Sequence, residues 1–589
     1  MKWVQDKKRV TDILQKMRDD ALKGKAVSLA TVSGVLSTKT NLIKYAACEL
    51  GFDLITTKSF QITPNLGNRE PIICQPAPLC FGNSVGLRNP GIDVAVKEIS
   101  ALRSSVSLNA LLNISLSASS AKDFIYLIKS VEHLADIIEL NFSCPHASAG
   151  FGSSIGSSLE IATSYIEEII KEIPNSPALI FAKLTPNVDN IKEIASSIVE
   201  AGVDGIVAIN TVGPSLYIDP HSKSPILQNK LGGKGGKSGA WIFERAIECV
   251  RDIREAVGDE LPIIGMGGVS SGKAISSMLR AGANVVGIGS ALGVVKQEDW
   301  SSYVKELRKD AILELRGESS SSAKKYIINT QRMSYTPYKI LDIDYINSDV
   351  MVMKLDGKMD FMAGEFVFLW LPSIGEKPFS LCLSSPITFI IKKRGAFTKA
   401  LFEKKVGDLV YIRGLYGKPL TLPKTQEAIL ISGGTGIALL PSLAKNLSLN
   451  KTKISIYAGS SDAGVNKEKM NSAKEGASNV IEELLMSYGA FKMIKDDGII
   501  GRVLNEVEKE VSVGEKSIAC YIVGPMPFMQ KASEILSNKG LDKSFIFLSL
   551  EQPTMCGVGL CGECSCGNRL TCQMGTFISL LEFEKVQKY

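Results

Sequence analysis

The first half of the chain alternates short apolar, β-branched runs with longer stretches whose apolar residues recur at helical spacing. The apolar runs predict eight strands, at Val27–Val32, Leu54–Thr57, Leu112–Leu116, Ile137–Phe142, Leu179–Leu184, Gly205–Ile209, Ile263–Met266 and Val285–Ile288. The stretches between them predict helices, among them Thr40–Leu50, Ala121–Leu134, Ser158–Glu172, Val188–Ala201 and Gly239–Val257. A doubly wound sheet also alternates in this way, but eight units in roughly 300 residues favour a closed (β/α)8 (TIM) barrel. We therefore predict such a barrel over residues 1–316.

The pattern changes after a polar, serine-rich stretch at residues 317–325, which predicts a linker. Residues 326–425 show alternating short strands, typical of a small antiparallel β-barrel. The strands predicted there are Tyr338–Tyr345, Val350–Lys354, Glu365–Leu371, Ile387–Lys392 and Leu409–Arg413. Residues 426–550 return to strand–helix alternation and predict an α/β domain, and residues 551–589 form a separate C-terminal segment. The expected fold is thus multidomain, with α/β and β parts.

Composition excludes several classes of function. The chain has 589 residues, and its net charge of +6 is small and not gathered into a basic run, so nucleic acid is not indicated as a partner. No apolar run reaches the ~18 residues that a membrane helix needs, and the N-terminus lacks an apolar signal core. Seven cysteines are scattered, as is typical of a reducing compartment, so we expect a cytoplasmic protein with no membrane partner.

The remaining cysteines are concentrated near the C-terminus. Cys556, Cys561, Cys564 and Cys572 have the spacing C-x4-C-x2-C-x7-C, which begins like the plant-type [2Fe–2S] pattern. A structural zinc site usually shows two C-x2-C pairs, and only one is present here. A disulfide framework suits a small secreted chain. We therefore predict that these four thiolates hold a [2Fe–2S] cluster and that Cys566 is not a ligand.

Polar residues and glycines collect at the predicted carboxyl ends of the barrel strands, where this fold places its active site. Two late glycine loops, around Gly267 and Gly289, lie where barrels commonly bind a phosphate through backbone N–H groups. Either loop alone also fits an ordinary tight turn, but together they favour a flavin mononucleotide. Cys144 follows the fourth strand and precedes a glycine-rich stretch. A reaction that removes a proton from a carbon beside a carbonyl group needs a positioned base, and the thiol of Cys144 is a candidate for that base.

Several stretches resemble the catalytic subunit of class 1 dihydroorotate dehydrogenases over residues 27 to about 315. They are Thr57–Ser59, Asn83–Pro90, Glu139–Pro145, Ala182–Pro186, Ile209–Thr211 and Pro262–Gly268. The resemblance implies that Cys144 removes a proton from C5 of dihydroorotate while a hydride passes from C6 to N5 of FMN. Lys58 would contact both flavin and substrate, and Lys183 would support the flavin ring. The resemblance further implies pyrimidine contacts from Asn83, Gly86, Leu87, Asn141, Asn210 and Thr211, and FMN contacts from Ser33, Gly34, Ser238, Gly239, Gly267, Gly268, Gly289 and Ser290.

One position departs from that pattern. Many class 1 enzymes have Asn after the Cys-Pro pair, and this chain has His146. Cys-Pro-His also occurs in dihydropyrimidine dehydrogenases, whose pyrimidine-reducing barrel is related. A histidine can still hydrogen-bond an orotate carboxylate, and better when it is protonated, so His146 is kept as a substrate-binding residue.

Motifs of a flavin reductase follow in the second half. Lys377, Pro378, Phe379 and Ser380 resemble the Arg-x-Tyr-Ser flavin motif of ferredoxin reductase-like domains, with Lys in place of Arg. Residues 395–398, through Gly395 and Thr398, resemble the turn that sets a helix N-terminus on the FAD pyrophosphate. For the nicotinamide nucleotide we expect glycine turns at two strand ends, formed by Gly433, Gly434 and Gly436 and by Gly524. These residues leave NAD and NADP open.

Residues 326–589 as a whole resemble the electron-transfer subunit of class 1B dihydroorotate dehydrogenases, which implies NAD. We therefore predict a fusion of both subunits that oxidises dihydroorotate to orotate in de novo pyrimidine (UMP) biosynthesis. Electrons would pass from FMN through the [2Fe–2S] cluster and FAD to NAD+, and we expect a homodimer through the barrel. Two alternatives stay open: an NAD(P)H-dependent dihydropyrimidine dehydrogenase, and a redox-partner protein with an inactive barrel, against which Lys58, Asn141 and Cys144 argue.

Overall fold

The structure, a computed structural model, describes residues 6–142, 155–461, 476–496, 502–514 and 517–587. The chain divides into two compact units. Unit 1 comprises Met1–Asp219, Lys223–Met333 and Val558–Glu563, and unit 2 comprises Pro220–Ser222, Ser334–Gly557 and Cys564–Tyr589. In the described ranges, no helix is long and apolar enough to cross a membrane.

Unit 1 is built around a closed barrel of eight parallel strands. Its strands are β1 (Leu29–Thr31), β2 (Leu54–Thr56), β3 (Ile73–Ala77), β4 (Cys80–Asn83), β5 (Leu111–Leu116), β6 (Ile137–Asn141), β7 (Leu179–Lys183), β8 (Gly205–Ala208), β9 (Val212–Leu216), β10 (Lys234–Gly239), β11 (Ile263–Met266) and β12 (Val285–Ile288). The ladder runs β1-β2-β5-β6-β7-β8-β11-β12 and closes where β12 pairs with β1. The predicted barrel is confirmed, and each of its strands overlaps the predicted one.

Helices alternate with the barrel strands. They are α1 (Lys7–Leu22), α2 (Thr40–Cys48), α3 (Ile92–Ser105), α4 (Ala121–Val131), α5 (Leu159–Glu172), α6 (Ile191–Glu200), α7 (Phe243–Val257), α8 (Gly272–Ala281) and α9 (Trp300–Leu315). Three of them begin after a serine whose hydroxyl accepts a backbone N–H of the first turn, namely Ser120, Ser158 and Ser271. Such caps satisfy donors that the helix itself leaves unpaired, so these starts are encoded locally.

A second, antiparallel sheet in unit 1 has the order β3-β4-β10-β9. In its register Ser238 lies opposite Phe81, and Gly236 lies opposite Asn83. These strands are short and rich in glycine and polar residues, so they carry little apolar alternation for a sequence to reveal. The sheet matters because it presents Asn83, Ser238 and Gly239 to one cavity of the same unit.

The serine-rich stretch after the barrel is held to α9. Both carboxylate oxygens of Asp310 accept backbone N–H groups, from Ser322 at 3.1 Å and from Ala323 at 2.9 Å. A short 3-10 helix follows at Ser322–Tyr326. The predicted linker is therefore docked at its C-terminal end.

Unit 2 contains two larger sheets and one small one. Its strands are β13 (Thr336–Asn347), β14 (Val350–Leu355), β15 (Phe366–Leu371), β16 (Gly375–Phe379), β17 (Leu383–Ser384), β18 (Ile387–Lys392), β19 (Leu409–Tyr416), β20 (Glu427–Gly433), β21 (Lys453–Ser461), β22 (Ala490–Asp496), β23 (Ile518–Val523), β24 (Ile546–Ser549), β25 (Ser565–Cys566), β26 (Arg569–Leu570) and β27 (Phe577–Ser579). Its helices are α10 (Ala396–Phe402), α11 (Leu440–Leu449), α12 (Gly476–Tyr488), α13 (Arg502–Glu510), α14 (Met526–Asn538), α15 (Thr571–Met574) and α16 (Leu580–Gln587).

The first larger sheet is antiparallel, with the order β16-β15-β19-β13-β14-β18-β17. Its long strand β13 pairs through its first half with β19 and through its second half with β14. The antiparallel pattern predicted from the sequence is present. The described ladder is not closed by hydrogen bonds between β16 and β17, so the barrel closure that we predicted is not seen in it.

The second larger sheet has the order β22-β21-β20-β23-β24-β27. All its pairings are parallel except that of β24 with β27. Buried apolar residues cover both of its faces, in two separate clusters. Strand β27 comes from the cysteine-rich end of the chain, so that end is built into this sheet.

A buried ion pair lies within the antiparallel sheet of unit 2. Arg413 and Glu376 have fully buried side chains and form two hydrogen bonds, of 2.5 and 2.7 Å. Tyr335 donates to Glu376 at 2.6 Å. Burial alone would lower the pKa of Arg413, but the Glu376 carboxylate raises it well above its ordinary value. The Arg413 guanidinium therefore stays protonated in the folded unit.

Removing one partner of this pair should destabilise unit 2 strongly. We expect Glu376→Gln to cost about 3–5 kcal/mol, because it leaves a buried guanidinium without its counter-charge. The measurement is the free energy of opening of β15 and β19 by hydrogen exchange and mass spectrometry on the whole chain. The control is Glu534→Gln, whose carboxylate is 59% exposed and pairs with Lys531 on the same helix. That change should cost at most about 0.5 kcal/mol, and equal effects of both changes would contradict the prediction.

Candidate functional site

One cavity in unit 1 gathers most of the residues predicted for the site. It has a volume of about 260 Å³ and lies at the carboxyl ends of the barrel strands. The predicted residues that line it are Ser33, Gly34, Lys58, Asn83, Gly86, Leu87, Asn141, Lys183, Asn210, Thr211, Ser238, Gly239, Gly267, Gly268, Gly289 and Ser290. These residues come together because the strand ladder is closed, so that the carboxyl ends of all its parallel strands lie at one rim. The roles given to these residues stay predictions.

Two predicted site residues cannot be placed in this way. Cys144 and His146 lie outside the described residues, which resume at Ile155. Their chain position after β6 is known, and the last residue of β6, Asn141, lines the cavity. Cys144 comes three positions after Asn141, and three steps along an extended chain span at most about 10–11 Å.

A buried carboxylate supports one lysine of the cavity wall. Glu139 is fully buried in β6, and its Oε1 lies 3.5 Å from Nζ of Lys183. The hydroxyl of Ser115 donates to the same oxygen at 2.8 Å. A buried charge is costly unless it is paired and hydrogen-bonded, and Glu139 supplies the counter-charge that keeps the Lys183 ammonium at the cavity wall.

The same polar network reaches the amide of Asn141. Ser115 and Ser59 are joined by a hydroxyl–hydroxyl hydrogen bond of 2.8 Å. Asn141 donates through Nδ2 to Ser59 at 3.0 Å, which orients its amide in the cavity wall. Serial hydrogen bonds of this kind restrict rotamers, so one network fixes both a cationic and an amide group of the site.

The loop after β4 is held in an unusual backbone conformation. Gly86 has φ +75° and Leu87 has φ +56°, and positive φ is uncommon for a residue with a side chain. Amides tie the loop down, since Asn65 donates to the Gly86 carbonyl at 3.2 Å and Asn89 donates to the Leu87 carbonyl at 2.8 Å. Strain of this kind persists where the surroundings enforce it and is frequent at binding sites.

The glycine loops after β11 and β12 lack room for side chains. A Cβ on Gly268, whose φ is +72°, would lie 2.8 Å from the carbonyl oxygen of Gly239. A Cβ on Gly289 would lie 2.6 Å from a methyl group of Val32. Bare backbone therefore faces the cavity at both predicted phosphate loops, which fits a bound phosphate group.

Sequence reasoning gave no role to several residues that the structure places here. Ser59, Arg88 and Glu563 line the cavity, and Glu139 lies directly behind it. Glu139 could have been identified from the sequence, because a carboxylate inside a buried apolar strand needs a partner. Glu563 could not, since it reaches Lys58 from 505 positions away along the chain.

In unit 2 the predicted flavin residues lie on neighbouring elements. Lys377, Pro378 and Phe379 are in β16, and Ser380 follows it directly. Gly395 is the N-cap of α10, and the Thr398 hydroxyl accepts the backbone N–H groups of Arg394 and Gly395 at 2.8 and 3.1 Å. The turn predicted at residues 395–398 is thus a helix start, while its contact with FAD stays a prediction.

The two glycine turns predicted for a nicotinamide nucleotide lie side by side. Gly433 ends β20, and Gly524 follows β23, which pairs in parallel with β20. A Cβ on Gly436 would lie 2.6 Å from the carbonyl oxygen of Val523, so only glycine allows this approach. Dinucleotides bind at such carboxyl ends of parallel strands, and the arrangement is suitable for one.

One of the predicted cluster cysteines, Cys572, contacts two of the others within unit 2. Hydrogen bonds with Cys556 and Cys564, and then burial, raise the pKa of the Cys572 thiol well above its ordinary value. Cys561 belongs to the stretch that is part of unit 1, and Cys566 packs in an apolar core. Over the described residues, no group of three or more His, Cys, Asp or Glu side chains is arranged to hold a metal ion. The cluster therefore stays a prediction.

Comparisons with known proteins single out the barrel. A family model described as dihydroorotate dehydrogenase matches residues 26–309. The catalytic subunit of dihydroorotate dehydrogenase B (NAD(+)) from Methanocaldococcus jannaschii is 39% identical over 261 residues, which is 44% of this chain and 81% of that protein. The same subunit from Methanothermobacter thermautotrophicus is 37% identical over 271 residues, 46% of this chain and 84% of that protein. A crystal structure of DHODH in complex with ferulenol from Eimeria tenella covers 55% of this chain and 95% of its own, with a TM-score of 0.42 and 18% identity.

Substitution of Gly268 should weaken flavin binding at the predicted phosphate loop. In Gly268→Ala the new methyl group meets the Gly239 carbonyl, and overpacking of this kind typically costs about 1–3 kcal/mol. We expect FMN binding about tenfold weaker or worse, measured as flavin retained after gel filtration. Gly258→Ala is the control, because Gly258 has φ +74° but no atom within 4 Å of its added Cβ. Equal flavin loss in both variants would show that backbone strain, and not the clash, matters.

Proposed function

The chain belongs to the dihydroorotate dehydrogenase family through residues 26–309, and from this premise we propose that it oxidises dihydroorotate to orotate in de novo pyrimidine (UMP) biosynthesis. The observation that carries the proposal is a cavity at the barrel rim that Lys58, Lys183 and the amides of Asn83, Asn141 and Asn210 line together. Amide side chains offer both donors and acceptors, as the imide edge of a pyrimidine requires. An ammonium group suits the carboxylate of the substrate.

FMN is the cofactor that we propose for this cavity. Its residues fit the group: bare backbone at Gly268 and Gly289 suits a phosphate, and Lys183, held by Glu139, supplies a fixed cation. When bound, FMN would supply a hydride acceptor. The chain's own part is to hold the pyrimidine by its amides and Lys58, to hold Lys183 in place through Glu139, and to take one proton.

We propose that Cys144 takes that proton from C5 of dihydroorotate as the hydride leaves C6. The two losses together convert the C5–C6 single bond into the double bond of orotate. A free thiol has a pKa near ~8.5, so the site must help it to act near neutral pH. His146 would contact the carboxylate of the same substrate. Both roles rest on the chain position of these residues after β6.

Flavin bleaching without oxygen tests the proposed reaction. Dihydroorotate should reduce the flavin of the purified chain rapidly, whereas dihydrouracil, which lacks the carboxylate, should not. The reverse preference would favour a dihydropyrimidine dehydrogenase, which the Cys-Pro-His sequence at residues 144–146 keeps as the second candidate. Bleaching by neither compound would favour an inactive barrel in a redox-partner protein.

Replacement of the proposed base should stop flavin reduction but not flavin binding. We expect Cys144→Ala to slow reduction by dihydroorotate by about 10²–10⁴-fold, the usual loss when a general base is removed. Stopped-flow absorbance measures the rate, and the FMN content should stay normal because the glycine loops are unchanged. Cys249→Ala is a suitable control, since Cys249 is buried in α7 away from the cavity lining. A normal rate in Cys144→Ala would assign the proton to another group.

For the second half we propose an electron path from FMN through a [2Fe–2S] cluster and FAD to NAD+. Its support is the order of the motifs, the paired glycine turns on β20 and β23, and the donor set of Cys556, Cys561, Cys564 and Cys572. The chain would then join in one polypeptide a catalytic barrel and an electron-transfer part. We propose NAD rather than NADP, and the support is the NAD(+) in the names of the relatives that match the barrel.

A homodimer through the barrel is also part of the proposal. Leu66, Leu216 and Ile218 are exposed apolar residues of unit 1, and a contact between two copies of the barrel would remove such side chains from water.

Loss of one proposed cluster ligand should separate the two half-reactions. We expect Cys561→Ser to keep dihydroorotate-dependent bleaching of FMN, because the barrel has its own core and its own flavin loops. Reduction of NAD+ should collapse, since electrons would lack the one-electron step between two hydride carriers.

Iron, FAD and FMN contents are measured beside both rates, with Cys566→Ser as the control because Cys566 packs in an apolar core. That control should keep its iron. If an iron-free, FAD-replete Cys561→Ser chain still reduced NAD+ at the normal rate, the proposed path would be wrong.

A further inference from the structure

A short stretch near the C-terminus forms part of unit 1. Residues Val558–Glu563 belong to that unit, and Thr38 donates through its hydroxyl to the Cys561 carbonyl. Lys39 donates through Nζ to the Glu563 carbonyl at 3.2 Å. A Cβ on Gly562 would lie 2.8 Å from a methyl group of Leu42. These contacts fix the backbone of the stretch against the start of α2.

The fixed backbone directs the Glu563 carboxylate at two cations of the cavity. Its Oε1 lies 3.4 Å from Nζ of Lys58 and 3.2 Å from Nε of Arg88. The side chains of Glu563 and Lys58 are only 13% and 11% exposed, and that of Arg88 is 32% exposed. All three residues line the cavity. This is a partly desolvated triad, in which charges interact more strongly than at an open surface.

Glu563 is also the sole acidic residue among the described residues that line the cavity. The third lysine or arginine of the lining, Lys183, has its own carboxylate, Glu139. Lys58 and Arg88 therefore share one carboxylate, and one positive charge is left over for a ligand. Any ligand carboxylate that enters must share these cations with Glu563.

We propose that Glu563 is a specificity-determining residue, an internal carboxylate that competes with the carboxylate of dihydroorotate and orotate for Lys58 and Arg88. This inference rests on the proposed function, because it takes the ligand to be an anionic pyrimidine. Glu563 keeps the cations in place in the ligand-free cavity and weakens the hold on the anionic product. Arg88, which received no role from the sequence, becomes a second partner of the ligand carboxylate. A neutral pyrimidine would be unaffected by the charge of Glu563.

The test is equilibrium dialysis of the purified full chain with labelled orotate and with labelled uracil at fixed ionic strength. In Glu563→Gln the competing charge is gone while the shape is kept, and we expect orotate to bind roughly tenfold more tightly, about the effect of one unit charge in a partly screened site. Uracil binding should change less than about twofold. Glu200→Gln, the same chemical change at an exposed residue of α6, should alter neither. FMN and iron contents are matched among the variants.

A second variant should change orotate binding in the opposite direction. Arg88→Gln removes a cation and should weaken orotate binding roughly tenfold, again without effect on uracil. Unchanged or weaker orotate binding in Glu563→Gln, or equal changes for orotate and uracil, would overturn the competition. If the unaltered chain binds uracil but not orotate, the proposed function fails and the inference fails with it. If it binds orotate and Glu563→Gln does not differ, the inference alone fails.

Discussion

Closure of eight parallel strands into one ring is the constraint on which the site of unit 1 depends. The ring closes because β12 pairs with β1, with Leu29 opposite Val286. Parallel strands end on the same side, so residues as distant in the chain as Ser33 and Ser290 come to one rim. No local interaction could bring them together. Loss of one strand pairing would therefore separate the glycine loops from the amides that line the same cavity.

The ring also sets the cost of placing charge inside it. Strands buried on both faces favour apolar side chains, yet β6 carries Glu139 with no exposure. Its position is stable only because Lys183, Ser115 and Asn113 all contact its oxygens. The benefit is precision, since the same network reaches Asn141 through Ser59. The proposed flavin and the proposed pyrimidine would then contact side chains that one rigid network holds in place.

Features that depend on neighbouring residues could be predicted from the sequence, whereas features that depend on residues far apart in the chain could not. Barrel strands such as Ile263–Met266 were predicted with their observed ends, because an apolar run between turns is a local signal. Strands β3, β9 and β16 were missed, since they are short, contain glycine or proline, and depend on pairing with distant partners. The site residues of the cavity were predicted at strand ends and by resemblance, apart from Ser59, Arg88 and Glu563. Contacts such as Glu563 with Lys58 could not be, because nothing near residue 563 encodes a partner more than 500 positions away.

The cysteine-rich stretch shows a related dependence in unit 2. Arg413, held by Glu376, donates to the carbonyl of Cys556 at 3.0 Å, and the Gly417 N–H donates to the Cys572 carbonyl at 3.0 Å. Strand β27 then joins the six-stranded sheet. The backbone at Cys556 and at Cys572 is thus anchored by groups that owe nothing to a metal. Small metal-binding domains are often unfolded until the ion binds, so that binding must order the whole chain. Here most of that ordering is already supplied by a buried ion pair and a β-sheet. A metal would therefore have little of the chain to fold. Its main cost would be to displace thiol protons, among them that of Cys572, whose pKa is raised.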